Sequence, residues 1–154
     1  MAKRVAFYSI VISVVLACTG WCDAEPLALT IIRDLDFGSV IGAPGEYDAL
    51  EPAEIAISAS VPAEVRLETS LLAYVGQRRE FPSGPPTLDI QYVVTLVGER
   101  NYTMKQAQAL MLTLEPEGEY CYTLLVDGTI TINDPTRHLV GPYHGTITVT
   151  LSAR

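Results

Sequence analysis

The last third of the chain constrains the fold most strongly, because apolar residues there alternate with polar ones. Every second position is apolar or glycine over residues 120–132, and Thr fills many of the positions between. The pattern returns over residues 146–151. Successive side chains of a strand point to opposite faces, so both runs are typical of half-buried strands. Asp127-Gly128 divides the first run and predicts a hairpin turn there. The tail is therefore predicted to form three strands, over residues 120–126, 129–132 and 146–151.

A second extended run lies near residue 30. Its alternating apolar residues are Leu27, Leu29 and Ile31. The run predicts a first strand over residues 28–37 that bends near Asp34. Gly38 and the glycines and proline of residues 42–45 are expected to end it, because Gly and Pro interrupt regular strands. Residues 48–53 are expected to form a loop around Pro52.

The middle of the chain predicts further strands. Residues 55–59 form a short apolar run, and residues 64–69 alternate charged with apolar side chains. Residues 88–96 give the clearest alternation in the chain, as expected of a core strand with one buried face. Residues 103–114 fit either a helical turn or a strand, and a loop or helical turn followed by a strand is the favoured interpretation.

Together these patterns predict an all-β domain, namely an immunoglobulin-like antiparallel β-sandwich of about seven to nine strands. The sequence does not alternate strand and helix patterns, so a parallel α/β sheet is disfavoured. The predicted core joins one face of the 88–96 strand to one face of the final strand, with Phe37 nearby. The residues expected to face inward are Leu88, Ile90, Tyr92, Val94, Leu96, Ile147, Val149 and Leu151.

The first residues are predicted to be an export signal outside the fold. Lys3 and Arg4 precede an uncharged run over residues 5–18, which is shorter than the about 20 residues of a membrane-spanning helix. Cys22 and Ala24 are small residues at the positions that a signal peptidase reads, so cleavage is expected before Glu25. The chain is therefore divided into a signal peptide over residues 1–24 and one domain over residues 25–154.

Two other outcomes stay open for this segment. Left uncleaved, it would act as an anchor. Lipidation at Cys18 would tether the domain to a membrane, although Leu16 is larger than the residue usual at that position. Apart from an uncleaved anchor, membrane attachment is expected only in the lipidated form. The exported protein is otherwise expected in the periplasm, at the cell surface or outside the cell.

The net charge and the cysteine content limit which molecules this domain is expected to bind and which disulfide bonds it is expected to form. Residues 1–24 carry Lys3, Arg4 and Asp23, so the remaining 130 residues have a formal net charge of −9, against −8 for the whole chain. An acidic domain is not attracted to phosphate backbones, so no nucleic-acid partner is expected. Loss of the signal peptide would leave Cys121 alone, without an internal disulfide. It is predicted to be a buried apolar strand residue rather than a reactive thiol.

The sequence carries no recognisable catalytic motif. His138 and His144 are expected in a surface loop, and no Cys or His spacing supplies a zinc site. Asp34 and Asp36 would share a strand face, where two carboxylates can do acid–base work or bind calcium. A role in turns or in protecting an edge strand is the favoured interpretation. No nucleophile elbow or phosphate loop occurs, so we predict neither an enzyme nor a cofactor.

Two short motifs resemble one group of secreted β-sandwich domains. They are Asp34-Leu35-Asp36-Phe37-Gly38 and Gly141-Pro142-Tyr143-His144-Gly145, the second followed by the Thr-rich final run. The group contains the pilin-like domains of spore coat protein U and the archaic chaperone–usher pilins, together with a neighbouring family of uncharacterised secreted proteins. The resemblance implies an incomplete sandwich that lacks one strand, and a structural or adhesive subunit of a surface fibre.

The resemblance also implies assembly by strand addition, in which another copy, a related subunit or a periplasmic chaperone supplies the missing strand. The alternative is a self-contained secreted module that binds carbohydrate or protein without polymerising. After cleavage before Glu25, only residues 25–28 would precede the first alternating run. Leu27, Leu29 and Ile31 are therefore either a donor strand or the first strand of their own domain. A subunit that ends a fibre and a domain that exchanges no strands are the other interpretations.

Overall fold

The fold is built from strands alone within the described part of the chain. The computed structural model describes residues 5–16, 26–76, 81–134 and 136–154 of the 154-residue chain. The strands are β1 (Val5–Leu16), β2 (Leu27–Arg33), β3 (Asp36–Ile41), β4 (Gly45–Asp48), β5 (Ala53–Ala59), β6 (Ala63–Thr69), β7 (Leu72–Tyr74), β8 (Thr87–Leu96), β9 (Asn101–Lys105), β10 (Ala109–Leu114), β11 (Tyr120–Ile132) and β12 (Tyr143–Ala153). A helix that is long and apolar enough to cross a membrane does not occur in these ranges. The predicted all-β, sandwich-like fold is confirmed.

The strands form two sheets that are joined through β8. In the first sheet β12 is central: β6 and β7 pair with one of its edges and β1 with the other. β10 lies outside β6, and β3 lies outside β1. In the second sheet β11 pairs with β8 on one edge and with β5 and then β4 along the other. β2 and β9 flank this sheet. β8 joins the two sheets because its first residues pair with β7 and the rest with β11.

The inner faces of the two sheets meet in one hydrophobic core. Buried residues alternate with more exposed ones along β5, β6, β8, β11 and β12, because successive strand residues point to opposite faces. The predicted inward-facing residues of β8 and β12 are buried, as is Phe37. The core prediction is therefore confirmed for all of these residues.

The course of β11 corrects the predicted hairpin. Residues 120–132 form one strand that pairs with β8 without interruption through Asp127 and Gly128. Along the other edge β11 changes its partner from β5 to β4, and between them the Ala49 amide donates to the Gly128 carbonyl at 2.8 Å. A Cβ atom at Gly128 would lie 2.8 Å from Phe37 Cζ. Glycine at this position therefore makes room for a core aromatic ring and does not mark a turn.

We expect Gly128→Ala to lower the free energy of unfolding by about 1–3 kcal/mol, because an extra methyl group would overpack a filled core. Its nearest neighbours would be Phe37 Cζ and Ile90 Cδ1, at 2.8 Å and 3.3 Å. Gly42→Ala is the matched control, since a Cβ atom there has no neighbour within 4 Å. Urea unfolding followed by circular dichroism measures both variants. Equal stability of the two would contradict the packing role of Gly128.

Other strand boundaries also differ from the predictions. The first extended run breaks at residues 34–35, and Gly38 lies inside β3 with a φ of +59°. The predicted bend near Asp34 is therefore confirmed, whereas the predicted end at Gly38 is wrong. β4 was not expected, and β9 occupies part of a segment assigned to a loop or helical turn. The described part of residues 25–154 has eleven strands, β2 to β12, rather than seven to nine, because bends divide longer runs and short strands occur beside them.

The uncharged run that the sequence assigns to an export signal forms a strand in the full-length chain. Val5–Leu16 is β1, and it pairs with β12 on one side and β3 on the other. The expectation that residues 1–24 are a signal peptide outside the domain concerns the cleaved protein, and it stays a prediction. The expected cleavage site before Glu25, and Cys18 and Cys22, lie outside the described residues. Cleavage and lipidation therefore stay predictions.

Candidate functional site

The candidate site is the position between β12 and β3 in the first sheet, which we call the strand slot. β1 fills the slot and runs parallel to β12 over nine paired residues, from Tyr8 opposite Tyr143 to Leu16 opposite Leu151. It pairs with β3 in the antiparallel direction. Among the strands described, β3 has no ladder partner other than β1. Whatever segment lies in the slot therefore completes the edge of β12 and connects β3 to the sheet.

One wall of the slot is β12, and Tyr143 fixes its start. The Tyr143 hydroxyl donates to the Leu139 carbonyl at 3.2 Å and accepts from the Leu139 amide at 3.0 Å. Its ring packs edge-on against Tyr74, with 5.4 Å between the ring centroids. Tyr143 is buried. These contacts hold the segment before β12 against the start of the strand that forms the wall.

The opposite wall is β3, which Leu35 and Phe37 anchor in the core. Both side chains are buried, whereas Asp34 and Asp36 are exposed. The Asp36 carboxylate accepts from the Gly38 amide at 2.7 Å. Gly38 has a left-handed φ of +59°, a conformation that favours glycine. The exposed carboxylates thus flank the anchored residues, and Asp36 shapes the local backbone, as the turn interpretation expected.

The Asp36 backbone secures this wall from the other side. Its amide donates to the Glu51 carbonyl at 3.0 Å, and its carbonyl accepts from the amides of Leu50 and Glu51 at 2.8 Å and 3.1 Å. The described residues contain no group of three or more His, Cys, Asp or Glu side chains arranged to hold a metal ion. The backbone hydrogen bonds of Asp36 therefore join the start of β3 to residues 50 and 51.

The structure brings the two motifs of the sequence resemblance together at the slot. Ser9 of β1 is in register with Asp36 of β3 on one side and with His144 of β12 on the other. Asp36, Phe37 and Gly38 lie in β3, Tyr143 and Gly145 lie in β12, and Asp34, Leu35 and Gly141 lie just outside these strands. The motifs are about a hundred residues apart in sequence and form the two walls of one site.

The first alternating run has a different place. Leu27, Leu29 and Ile31 lie in β2, which pairs antiparallel with β5 at the border of the second sheet. All three are half-buried and pack against the core. In this structure they therefore form a strand of their own chain, and the donor-strand role stays a prediction.

Of three other residues that the sequence analysis named, His138 lies in a loop as predicted, whereas His144 and Cys121 differ from the expectation. His144 lies in β12 rather than in a loop, and it pairs in register with Ala73. His138 lies in the segment between β11 and β12, and its Nδ1 atom is buried without a hydrogen-bond partner in the described chain. The Cys121 thiol is free and exposed, which corrects the expectation that it is buried. Tyr122 and Leu124 occupy the inward positions of β11, so Cys121 falls on the outer face.

Two buried tyrosines should respond differently to loss of their hydroxyl groups. We expect Tyr143→Phe to cost about 0.5–1.5 kcal/mol, because it removes hydrogen bonds to Leu139. The Tyr92 hydroxyl is buried and has no hydrogen-bond partner among the described residues, so Tyr92→Phe should be neutral or stabilising. Urea unfolding at neutral pH compares the two. A larger loss for Tyr92→Phe than for Tyr143→Phe would contradict these assignments.

The same two residues predict sensitivity to alkali. Burial raises the pKa of Tyr92 and of Tyr143, and at Tyr143 the hydrogen bond with Leu139 acts in the opposite direction. Because the folded state holds these protons more tightly, their contribution to stability is present below about pH 10 and is lost as the pH rises above it. We expect Tyr92→Phe to lose less stability than the unsubstituted protein between pH 9 and about pH 11.

No protein-family model matches this chain, and no curated protein matches it.

Proposed function

We propose that this protein is an exported structural or adhesive subunit that assembles at the cell surface by strand addition. The observation that carries the proposal is the strand slot, in which a single extended segment pairs along both of its edges. Strand addition uses the same interaction, with backbone hydrogen bonds giving affinity and alternate side chains giving specificity. The partner in this proposal is another copy, a related subunit or a periplasmic chaperone.

Removal of residues 1–24 would open both walls of the slot. Without β1, the edge of β12 over residues 143–151 and the ladder edge of β3 both lose their partner. Buried backbone groups need hydrogen-bond partners, and an open strand edge readily pairs with another chain. A domain in this state is stabilised by any extended segment that enters the slot, which supports assembly by strand addition over an isolated monomer.

The test is to export the full-length chain from a bacterial host and recover the product from the periplasm and cell surface. Mass spectrometry of the N-terminus reports whether cleavage occurs before Glu25. We expect oligomers that resist detergent at room temperature and dissociate on heating. A cleaved monomer that melts cooperatively at high temperature and forms no such oligomers would overturn the proposal. That result would favour a self-contained binding module.

A further inference from the structure

The segment in the slot has a composition that suits two environments. The twelve residues of β1 carry no charge, and half of them are Val or Ile. β-Branched residues favour strands, while an uncharged apolar run is also what an export signal requires. The same residues therefore meet the requirements of export and of pairing between β12 and β3.

We propose that the predicted export signal is also the intramolecular occupant of the strand slot, which keeps the slot closed until cleavage lets β1 leave. The occupancy stands on the pairing of β1 with both walls. Its consequence, that cleavage releases assembly, rests on the proposed function. The occupant of the slot before cleavage is residues 5–16 of the same chain, which lie parallel to β12.

The covalent connection between β1 and β2 explains why β1 occupies the slot in preference to a strand from another molecule before cleavage. Ten residues connect the end of β1 at Leu16 to the start of β2 at Leu27. A connection of this length gives the linked strand an effective concentration on the order of millimolar. A strand offered by another molecule at micromolar concentration is then at a disadvantage of about 1,000-fold. Cleavage removes the tether, and the two kinds of strand compete at their actual concentrations.

Disulfide trapping in the purified, uncleaved full-length chain tests the occupancy and its direction. The native cysteines are first replaced by serine at positions 18, 22 and 121. Ser13→Cys is then combined with Thr148→Cys, since these positions are in register in the parallel arrangement. The matched control combines Ser9→Cys with Thr150→Cys, a pair that would be opposed if β1 ran antiparallel about the same midpoint.

We expect the 13–148 disulfide to form at least about tenfold more completely than the 9–150 disulfide, because a bridge needs Cα atoms within about 7 Å. Peptide mass spectrometry under mild oxidation measures both. Failure of the 13–148 bridge to exceed the control, or its formation only between different molecules, would overturn the intramolecular occupancy.

The consequence for assembly is tested in the same chain with a specific protease site within residues 18–24. We expect no oligomers before cleavage, oligomers after cleavage, and none after cleavage while the 13–148 disulfide is intact. Reduction should then restore assembly. Oligomers formed equally well by the oxidised protein would overturn the closed-slot inference and leave the proposed function standing. A trapped strand in a protein that stays monomeric after cleavage and reduction would overturn the proposed function instead.

Discussion

Val149→Asp is expected to leave the protein unfolded in the absence of denaturant. Val149 is fully buried in the central strand of the first sheet, in register with Leu67 on one side and Val14 on the other. An unpaired buried carboxylate costs several kcal/mol or forces the group to stay protonated. A small domain has about 5–15 kcal/mol of stability in total. Circular dichroism and limited proteolysis of the full-length variant measure the loss.

The neighbouring position supplies the control. Thr148 is only half-buried, so Thr148→Ser should change stability by less than about 0.5 kcal/mol. Ile90→Ala supplies an intermediate case, because truncation of a buried Ile costs about 2–5 kcal/mol. A Val149→Asp protein that still melts cooperatively near the temperature of the unsubstituted protein would show that β12 is not central to the fold.

Phe37→Ala is expected to have the second-largest effect, a loss of about 3–5 kcal/mol. The ring is 5% exposed and anchors β3, whose only ladder partner among the described strands is β1. Loss of the anchor should therefore loosen one wall of the slot as well as the core. Hydrogen exchange of the β3 amides, measured alongside urea unfolding, reports both effects.

Ser39→Ala is the matched control on the same strand, since Ser39 is exposed. A double-mutant cycle tests the contact that explains Gly128. Phe37→Leu should offset part of the loss caused by Gly128→Ala, with a coupling of about 0.5–3 kcal/mol for residues in contact. Strictly additive losses, or a Phe37→Ala variant as stable as Ser39→Ala, would show that the ring does not fill this space.

The core could be predicted from the sequence because its signal is local. Leu88, Ile90 and Tyr92 alternate with polar residues, and a period of two is a direct consequence of strand geometry. The same rule, applied strictly to β11, would have placed Cys121 on the outer face with Thr123. We predicted a buried Cys121 because its side chain is small and apolar. The structure instead follows the alternation and leaves Cys121 exposed.

The hairpin at Asp127-Gly128 was wrong for a reason outside its own segment. The Asp-Gly pair shows only that a turn is possible at this position. Contact with Phe37, some ninety residues earlier in the chain, explains why glycine is needed there within a continuous strand. The ring needs the space that a side chain at Gly128 would fill. Tertiary packing of this kind overrides turn propensity, and one sequence alone does not reveal which distant residue will occupy the space.

The slot was predictable only in part. The two motifs, at residues 34–38 and 141–145, indicated which residues belong to the candidate site, and the resemblance implied a missing strand. Neither placed the motifs on facing strands, and neither identified residues 5–16 as an occupant. An uncharged run rich in Val and Ile is compatible with an export signal and with a strand. Whether the run also forms a strand depends on pairing with residues 143–151, which local composition does not encode.

The position of β12 has a consequence for when folding can finish. β12 is synthesised after β1, β6 and β7, all of which pair with it. Contacts that span so much of the chain make folding slow, because a large loop must close before they form. The first sheet cannot close around its central strand on a partly synthesised chain. Until residues 143–153 are made, β1, β6 and β7 therefore all lack the strand that they share.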